Sequence, residues 1–260
     1  MIKAKKSLGQ NFLIDNNIIE KITNTAEIKN KNILEIGPGT GNLTSAILKK
    51  NPKKFLVIEK DKNLALLLQK KFGENILIIN KDVLNVNENL LDQQKFTVFG
   101  NLPYNISTEI LCKWILNIND QKPWFDELIL MFQKEVAERI LSEFNTNQYG
   151  RLSIIANWKL SIRKICDIKP SCFFPKPKVD SSLLIFNLKK DFFKIKNPKN
   201  LEKITRVFFM HRRKMIKKAY NQLFNGNLYV ASKLKIDLNL RPQNLNFATY
   251  YKLVNEFENL

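Results

Sequence analysis

Short apolar runs alternate with amphipathic stretches through the first 150 residues. Asn32–Ile36, Phe55–Ile58, Ile76–Ile79, Phe96–Phe99 and Leu128–Phe132 are largely apolar at odd and even positions alike, as in strands buried on both faces. Between them, Leu43–Lys50, Lys62–Phe72, Ser107–Leu116 and Lys134–Phe144 repeat apolar residues at helical spacing. An earlier helix is predicted over Asp15–Thr25, with Ile18, Ile19 and Ile22 on one face and Asp15 as its N-cap. Strand and helix in alternation predict an α/β fold, with a doubly wound and mostly parallel sheet. Arg151–Trp158 and Ser181–Leu188 read as two further strands, the second alternating as an antiparallel edge hairpin would. Residues 189–200 form a basic, proline-bearing linker, and beyond Leu201 the pattern is helical to the end. The predicted organisation is one domain over 1–188, a linker over 189–200 and a small all-α domain over 201–260. There is no internal repeat.

Composition narrows the class. The 260 residues are 44% hydrophobic, enough for a real core, and no apolar run approaches the roughly 18–20 residues that cross a bilayer. The basic start lacks the apolar segment of a signal peptide. Cys112, Cys166 and Cys172 are odd in number and unevenly spaced, which fits neither a disulfide framework nor a metal site and points to a reducing cytoplasm. They read as small buried apolar groups, and Trp114, Trp124 and Trp158 as core or interface residues and not a base-stacking box. The single His211 excludes His-rich metal chemistry, so no metal is expected. No self-complementary apolar stretch stands out, which favours a monomer.

The net charge of +19 is unevenly spread: 23 Lys and Arg against 7 Asp and Glu lie after residue 150, and 20 against 17 before it. Such asymmetry marks the C-terminal half as the binder of a polyanion. Within it a helix is predicted over 201–224, with Ile204, Val207, Phe208 and Met215 spaced for burial. That helix offers Arg212, Arg213, Lys214, Lys217 and Lys218 to nucleic-acid phosphates. His211 is a further polar residue of that face.

Candidate chemistry sits at strand ends, where open α/β sheets bind ligands. Glu35-Ile-Gly37-Pro-Gly39-Thr-Gly41 closes the first strand and opens a helix. A dinucleotide fingerprint needs a further glycine at 42, and Asn42 stands there instead. This departure argues against a pyrophosphate and for a ligand with a compact amino-acid end, such as S-adenosylmethionine. Glu59 closes the second strand, placed to accept from both ribose hydroxyls. Asp82 ends the third, placed to take an adenine amine with the Val83 N–H near a ring nitrogen. Asn101-Leu102-Pro103-Tyr104 leaves the fourth, and suits a planar base bearing an exocyclic amine. The Asn101 side chain and the Leu102 carbonyl supply acceptors, Tyr104 a stacking face, and Pro103 a fixed backbone. An ordinary strand-to-helix turn has the same local sequence; three polar strand ends upstream favour the functional reading.

With Gly9-Gln10-Asn11-Phe12-Leu13, the glycine loop, Asn-Leu-Pro-Tyr and Phe173-Phe-Pro175-Lys-Pro177-Lys-Val179-Asp-Ser181 in order, the chain resembles the rRNA adenine dimethyltransferases over nearly its whole length. That is the KsgA family, related to the Erm macrolide-resistance enzymes. Met131-Phe-Gln-Lys-Glu-Val-Ala-Glu-Arg-Ile matches a further family segment. The resemblance implies a Rossmann-like class I methyltransferase sheet, a helical C-terminal domain, S-adenosylmethionine as cofactor, and 16S rRNA of the small ribosomal subunit as substrate. It implies dimethylation of the N6 of two adjacent adenines. Gln10, Asn11 and Leu13 would belong to its N-terminal cofactor motif, beside Gly37, Glu59, Asp82 and Asn101. Asn101, Leu102, Tyr104 and Phe173 would form the target-adenine site, with Phe174 the competing aromatic. Gln243, in Arg241-Pro-Gln-Asn-Leu, stands where the family usually carries an acid. An Erm-like enzyme acting on large-subunit RNA and a non-catalytic RNA-binding assembly factor are the alternatives. A methyltransferase acting on DNA adenine or a small molecule is weaker.

Overall fold

The computed structural model describes residues 4–87 and 94–260. A short strand β1 (Phe12–Leu13) and helix α1 (Asn16–Thr23) precede the sheet, and Asp15 caps α1 by accepting from the Ile18 N–H at 3.0 Å. Then follow β2 (Asn32–Ile36), α2 (Asn42–Leu48), β3 (Lys54–Ile58), α3 (Lys62–Phe72), β4 (Leu77–Ile79), β5 (Phe96–Asn101), α4 (Ser107–Leu116), β6 (Phe125–Gln133) and α5 (Lys134–Leu141). The chain continues through α6 (Arg151–Lys159), β7 (Leu160–Ile168), β8 (Phe173–Phe174) and β9 (Ser181–Leu188). It ends in α7 (Pro198–Phe209), α8 (Lys217–Phe224), α9 (Tyr229–Lys233) and α10 (Phe247–Glu258).

Seven strands form one sheet in the order β4-β3-β2-β5-β6-β9-β7. β2 is parallel to both β3 and β5, β5 is parallel to β6, and β9 runs antiparallel to β6 with Leu130 opposite Leu184. This is the predicted α/β sheet, and the strands that read as continuous apolar runs lie at its centre. Ile33, Leu34, Val57, Val98 and Phe99 are buried completely. Successive strands run outward from β2 in one direction to β4, then from β5 in the other. A crevice therefore opens between β2 and β5 at their carboxyl ends.

Two expectations fail. Arg151–Trp158 is a helix, α6, not a strand. Leu152, Ile154, Ile155, Ala156 and Trp158 are all buried, so the helix shows no polar face and its Ile-Ile pair imitates a buried strand. Side-chain bonds close its turns: the Ser153 hydroxyl donates to the Arg139 carbonyl at 2.7 Å, and Asn157 donates to the carbonyls of Ile140 and Ser153. The helix expected over 201–224 is broken into α7 and α8 by a turn at 210–216. The amides of Ile216 and Lys217 donate to Leu240 and Leu238, which satisfies the new helix start from a distant segment. Met215 consequently lies exposed, not buried.

The contacts divide the chain into two compact units. One comprises residues 1–114, 118–137 and 162–188, and the other 115–117, 138–161 and 189–260. The second thus takes in α6, which composition placed with the first. No helix among the described residues is long and apolar enough to cross a membrane. Trp114, Trp124 and Trp158 are core residues, as predicted. Cys172 is buried, whereas Cys112 and Cys166 are only partly so.

Candidate active site

The ends of β2, β3, β4 and β5 converge on one cleft of about 1150 Å³, its open mouth included. The floor is the glycine loop after β2. There Gly37 donates its N–H to the Ile58 carbonyl at 2.9 Å, tying the loop to β3. Gly39 has φ +59, and a Cβ there would meet the Phe12 ring at 2.7 Å, so the backbone and the aromatic wall close on one another only through glycine. Gly41 is different. A Cβ on it would meet Phe72 at 2.6 Å and Leu68 at 2.9 Å, and it does not line the cleft. Glycine there lets α2 pack closely against α3, and the expected ligand role of Gly41 has no counterpart in the lining of the cleft.

Three carboxylates surround this loop in different electrical states. Glu35, at the end of β2, is 2% exposed and accepts from the Thr44 hydroxyl at 2.7 Å. Burial, reinforced by the charge of Glu59, raises its pKa to about 8. Glu59 accepts from the N–H groups of Gly39 (3.2 Å) and Asp61 (2.8 Å), and burial pushes its carboxyl upward against those bonds. Asp82 loses some water contact, but Lys60 at 2.7 Å and the Leu84 N–H outweigh that and hold its carboxyl below the usual range. Val83 lines the cleft beside it.

The N-terminal segment forms the opposite wall. Asn101 donates its Nδ2–H to the Asn11 carbonyl at 2.7 Å, which commits the amide nitrogen and leaves Oδ1 as the end available to a ligand. Gln10 reaches Asp61 at 3.1 Å, and Leu13 presents its carbonyl to Asn42 Nδ2 at 2.8 Å. Leu102 is buried, and the Tyr104 hydroxyl lies 2.5 Å from Ser181 Oγ with its phenol pKa raised by burial. Pro103 completes the rim. The expected residues at 10, 11, 13, 35, 37, 39, 59, 82, 83 and 101–104 are therefore brought together.

Phe173 is not among them. It is 1% exposed, inside the core with Leu13 and Leu183, and cannot present a face to a base as it stands. The two-stranded ribbon explains the reversal: Leu13 pairs with Phe173 on the core face and Phe12 with Phe174 on the other. Phe12 lines the cleft, and Phe174 on the same face is 61% exposed.

In the other unit, Arg213, Lys214, Lys217 and Lys218 are exposed, as is His211. Arg212 is turned inward. Its guanidinium donates to Gln243 at 3.2 Å and to the Asn147 carbonyl, so Gln243 serves as a neutral acceptor for a half-buried cation. Sequence reasoning missed Asp61, Asn42 and Thr44. Their signal was an Asp two positions past Glu59, an Asn where a glycine was expected, and an uncapped Thr in a short helix.

Comparison with known proteins agrees with this geometry. The family description "Ribosomal RNA adenine dimethylase" matches residues 1–259. The chain is 63% identical to a protein of Pelagibacter ubique named "Ribosomal RNA small subunit methyltransferase A", covering 100% of this chain and 98% of that one. A protein of the same name from Wolbachia of Drosophila simulans is 41% identical, over 99% and 95%. Among solved structures, a dimethyladenosine transferase from Plasmodium falciparum superposes with a TM-score of 0.81 at 28% identity, over 95% of this chain and 98% of that one. The 23S rRNA methyltransferase ErmE shares the fold, with a TM-score of 0.68 at 22% identity.

Glu35 sets a pH test. Its folded pKa lies above its unfolded one, so the native state holds a proton that the unfolded state has released between pH 4.5 and about 8. Wild-type stability is therefore expected to fall across that window relative to Glu35→Gln, by up to ~1.4 kcal/mol per pH unit. Urea unfolding at pH 5 to 8 measures it, and parallel curves would show Glu35 to be ionised when folded.

Proposed function

The chain belongs to the ribosomal RNA adenine dimethylase family, and from that membership we propose its specific reaction. It transfers methyl groups from S-adenosylmethionine to the N6 amines of two adjacent adenines near the 3′ end of 16S rRNA. It acts as a cytoplasmic monomer on the assembling small subunit. The observation that carries this reading is the orientation of Asn101, whose nitrogen is tied to Asn11 so that its oxygen is the free end at the junction of the two walls.

The residues present fit the cofactor. The cleft is large enough for a nucleoside with an amino-acid arm, Glu59 stands where two hydroxyls would donate, and Asp82 with Val83 stands where an adenine edge would lie. Gln10 and Asn11 close the cleft from above, and the glycine loop closes it from below. S-adenosylmethionine, when bound, supplies a methyl on a sulfonium already activated for transfer.

The protein's own task is to position the acceptor. An aromatic N6 amine is a weak nucleophile because its lone pair is delocalised into the ring. Asn101 Oδ1 and the Leu102 carbonyl accept its two protons and favour a pyramidal nitrogen with its lone pair directed into the cleft. No general base is required beforehand, because the methylated amine is acidic enough to lose its proton to water. Tyr104 supplies one stacking face and holds its ring through Ser181. Phe174, not Phe173, supplies the other, and stacking offsets the cost of flipping the base out of the RNA. Pro175 and Pro177 stiffen the loop that carries it. The exposed cations Arg213, Lys214, Lys217 and Lys218 engage rRNA phosphates.

Small subunits lacking the modification, incubated with the protein and S-adenosylmethionine and digested to nucleosides, should yield N6,N6-dimethyladenosine at two adjacent positions. A product on large-subunit RNA alone would assign the Erm-like activity instead. Asn101→Ala should lower turnover by roughly 10²-fold or more, and undiminished turnover would remove the amine-positioning role. The two arginines separate by assay: Arg212→Ala should destabilise the fold by about 1–3 kcal/mol through its lost internal bonds. Arg213→Ala should leave the melting temperature unchanged and reduce the salt slope of rRNA binding by roughly 0.7–0.9.

A further inference from the structure

Asp61 lies outside every role described so far, yet it is 4% exposed and its carboxylate is shared among Lys5, Gln10 and the Asn63 N–H. It follows Glu59 by two residues and donates its N–H to the Glu59 carboxylate at 2.8 Å. Its Oδ1 caps α3 by accepting from Asn63 N–H at 3.0 Å. Its Oδ2 faces the other way, and accepts both the Lys5 ammonium at 2.8 Å and the Gln10 amide at 3.1 Å. Gln10 is held from behind as well, because its Oε1 accepts the Lys5 N–H at 2.7 Å. Asn11 then passes the connection on to Asn101. One polar line runs from Glu59 through Asp61, Gln10 and Asn11 to Asn101, and it passes through the segment 5–13, whose residues 7–13 line the cleft wall.

The ordering of that segment has a cost. A stretch of nine residues with a single 3-10 turn and a two-residue strand carries little hydrogen bonding of its own, so its position over the cleft depends on anchors at each end. Asn101 and Asn42 anchor the distal part. Asp61 is the anchor of the proximal part, and it is ionised: burial acts to raise its carboxyl, but Lys5, Gln10 and the Asn63 N–H together hold it below the usual range. A charged acceptor shared by two donors is a stronger tie than either neutral bond alone.

We propose that Asp61 is a positioning residue that latches residues 5–13 over the cofactor cleft, and so couples occupancy of the ribose subsite at Glu59 to the placement of Asn101. The proposal rests on the reading of the cleft as a cofactor site, and adds the residue that closes it. Asp61 itself touches no reacting atom.

Asp61→Asn tests it. Asparagine keeps an N-cap oxygen for α3 but replaces the charged acceptor of Lys5 and Gln10 with an amide nitrogen. Two measurements are made: calorimetric binding of S-adenosylhomocysteine, and the rate at which trypsin cuts after Lys5, with and without that ligand. The expected result is a melting temperature near wild type, binding weakened by about ten-fold or more, and faster cleavage that the ligand no longer slows. In turnover assays the KM for S-adenosylmethionine should rise while the KM for RNA stays unchanged. Wild-type binding and wild-type protection in Asp61→Asn would overturn the proposal. If that variant does not fold, Gln10→Glu sets two carboxylates against each other with the α3 cap untouched, and the same two outcomes decide. If wild-type protein binds no S-adenosylhomocysteine, the cofactor reading fails; the ligand-free cleavage rates still decide whether Asp61 holds the segment.

Discussion

The site depends on the reversal of strand order between β2 and β5. Two parallel strands lie side by side, each completely buried, and the chain leaves them toward opposite edges of the sheet. No crossover covers the gap between their carboxyl ends, so every backbone group there must be satisfied by a loop, a side chain or a ligand. The glycine loop, Glu59, Asp82 and Asn101 are four answers to that one geometric condition. A different strand order would scatter the same residues along the edge of a sheet.

The acids around this crevice are buried to different degrees and respond according to their partners. Glu35, with one hydroxyl donor and a carboxylate for a neighbour, is pushed well above the usual carboxylate range by burial. Asp61 and Asp82, each with a lysine, hold their charge. Glu59 stands between these extremes, bonded only to backbone N–H groups, which is the state suited to accepting hydroxyls without binding a competing cation. The differences arise from which strand end each acid occupies and which donors that end supplies.

The sheet and most of the cleft were legible in the sequence because both rest on short-range signals. Apolar runs of five residues, each ending in a polar group, report parallel strands and their ligand-facing ends together. The failures share one cause, which is contact between residues distant in sequence. Arg151–Lys159 lacks a polar face because its surroundings bury every side, so the 3.6-residue period vanishes. The break after α7 is enforced by carbonyls at 238 and 240, and the inward turn of Arg212 by residues 147 and 243. Phe173 and Phe174 are chemically identical in sequence, and only the register of β1 against β8 decides which faces the core. Asp61 went unread because its bonds to Lys5 and Gln10 belong to a contact across more than 50 residues, of which the local sequence gives no sign.

Residues up to 150 carry nearly balanced charge, and several of their acids cap helices, line the cleft or pair with Lys5 and Lys60. After residue 150 there are 23 cations against 7 acids, and the ion pairs formed there include Lys164–Asp167, Lys169–Asp180 and Lys233–Glu256. Arg212 shows what happens when such a cation is needed for folding: it turns inward and takes neutral oxygens, from Gln243 and a backbone carbonyl. Arg213, Lys214, Lys217 and Lys218 keep the opposite disposition, exposed on the turn and on the first residues of α8. Positive charge at the start of a helix opposes its dipole, so Lys217 and Lys218 stabilise α8 less than neutral residues would there.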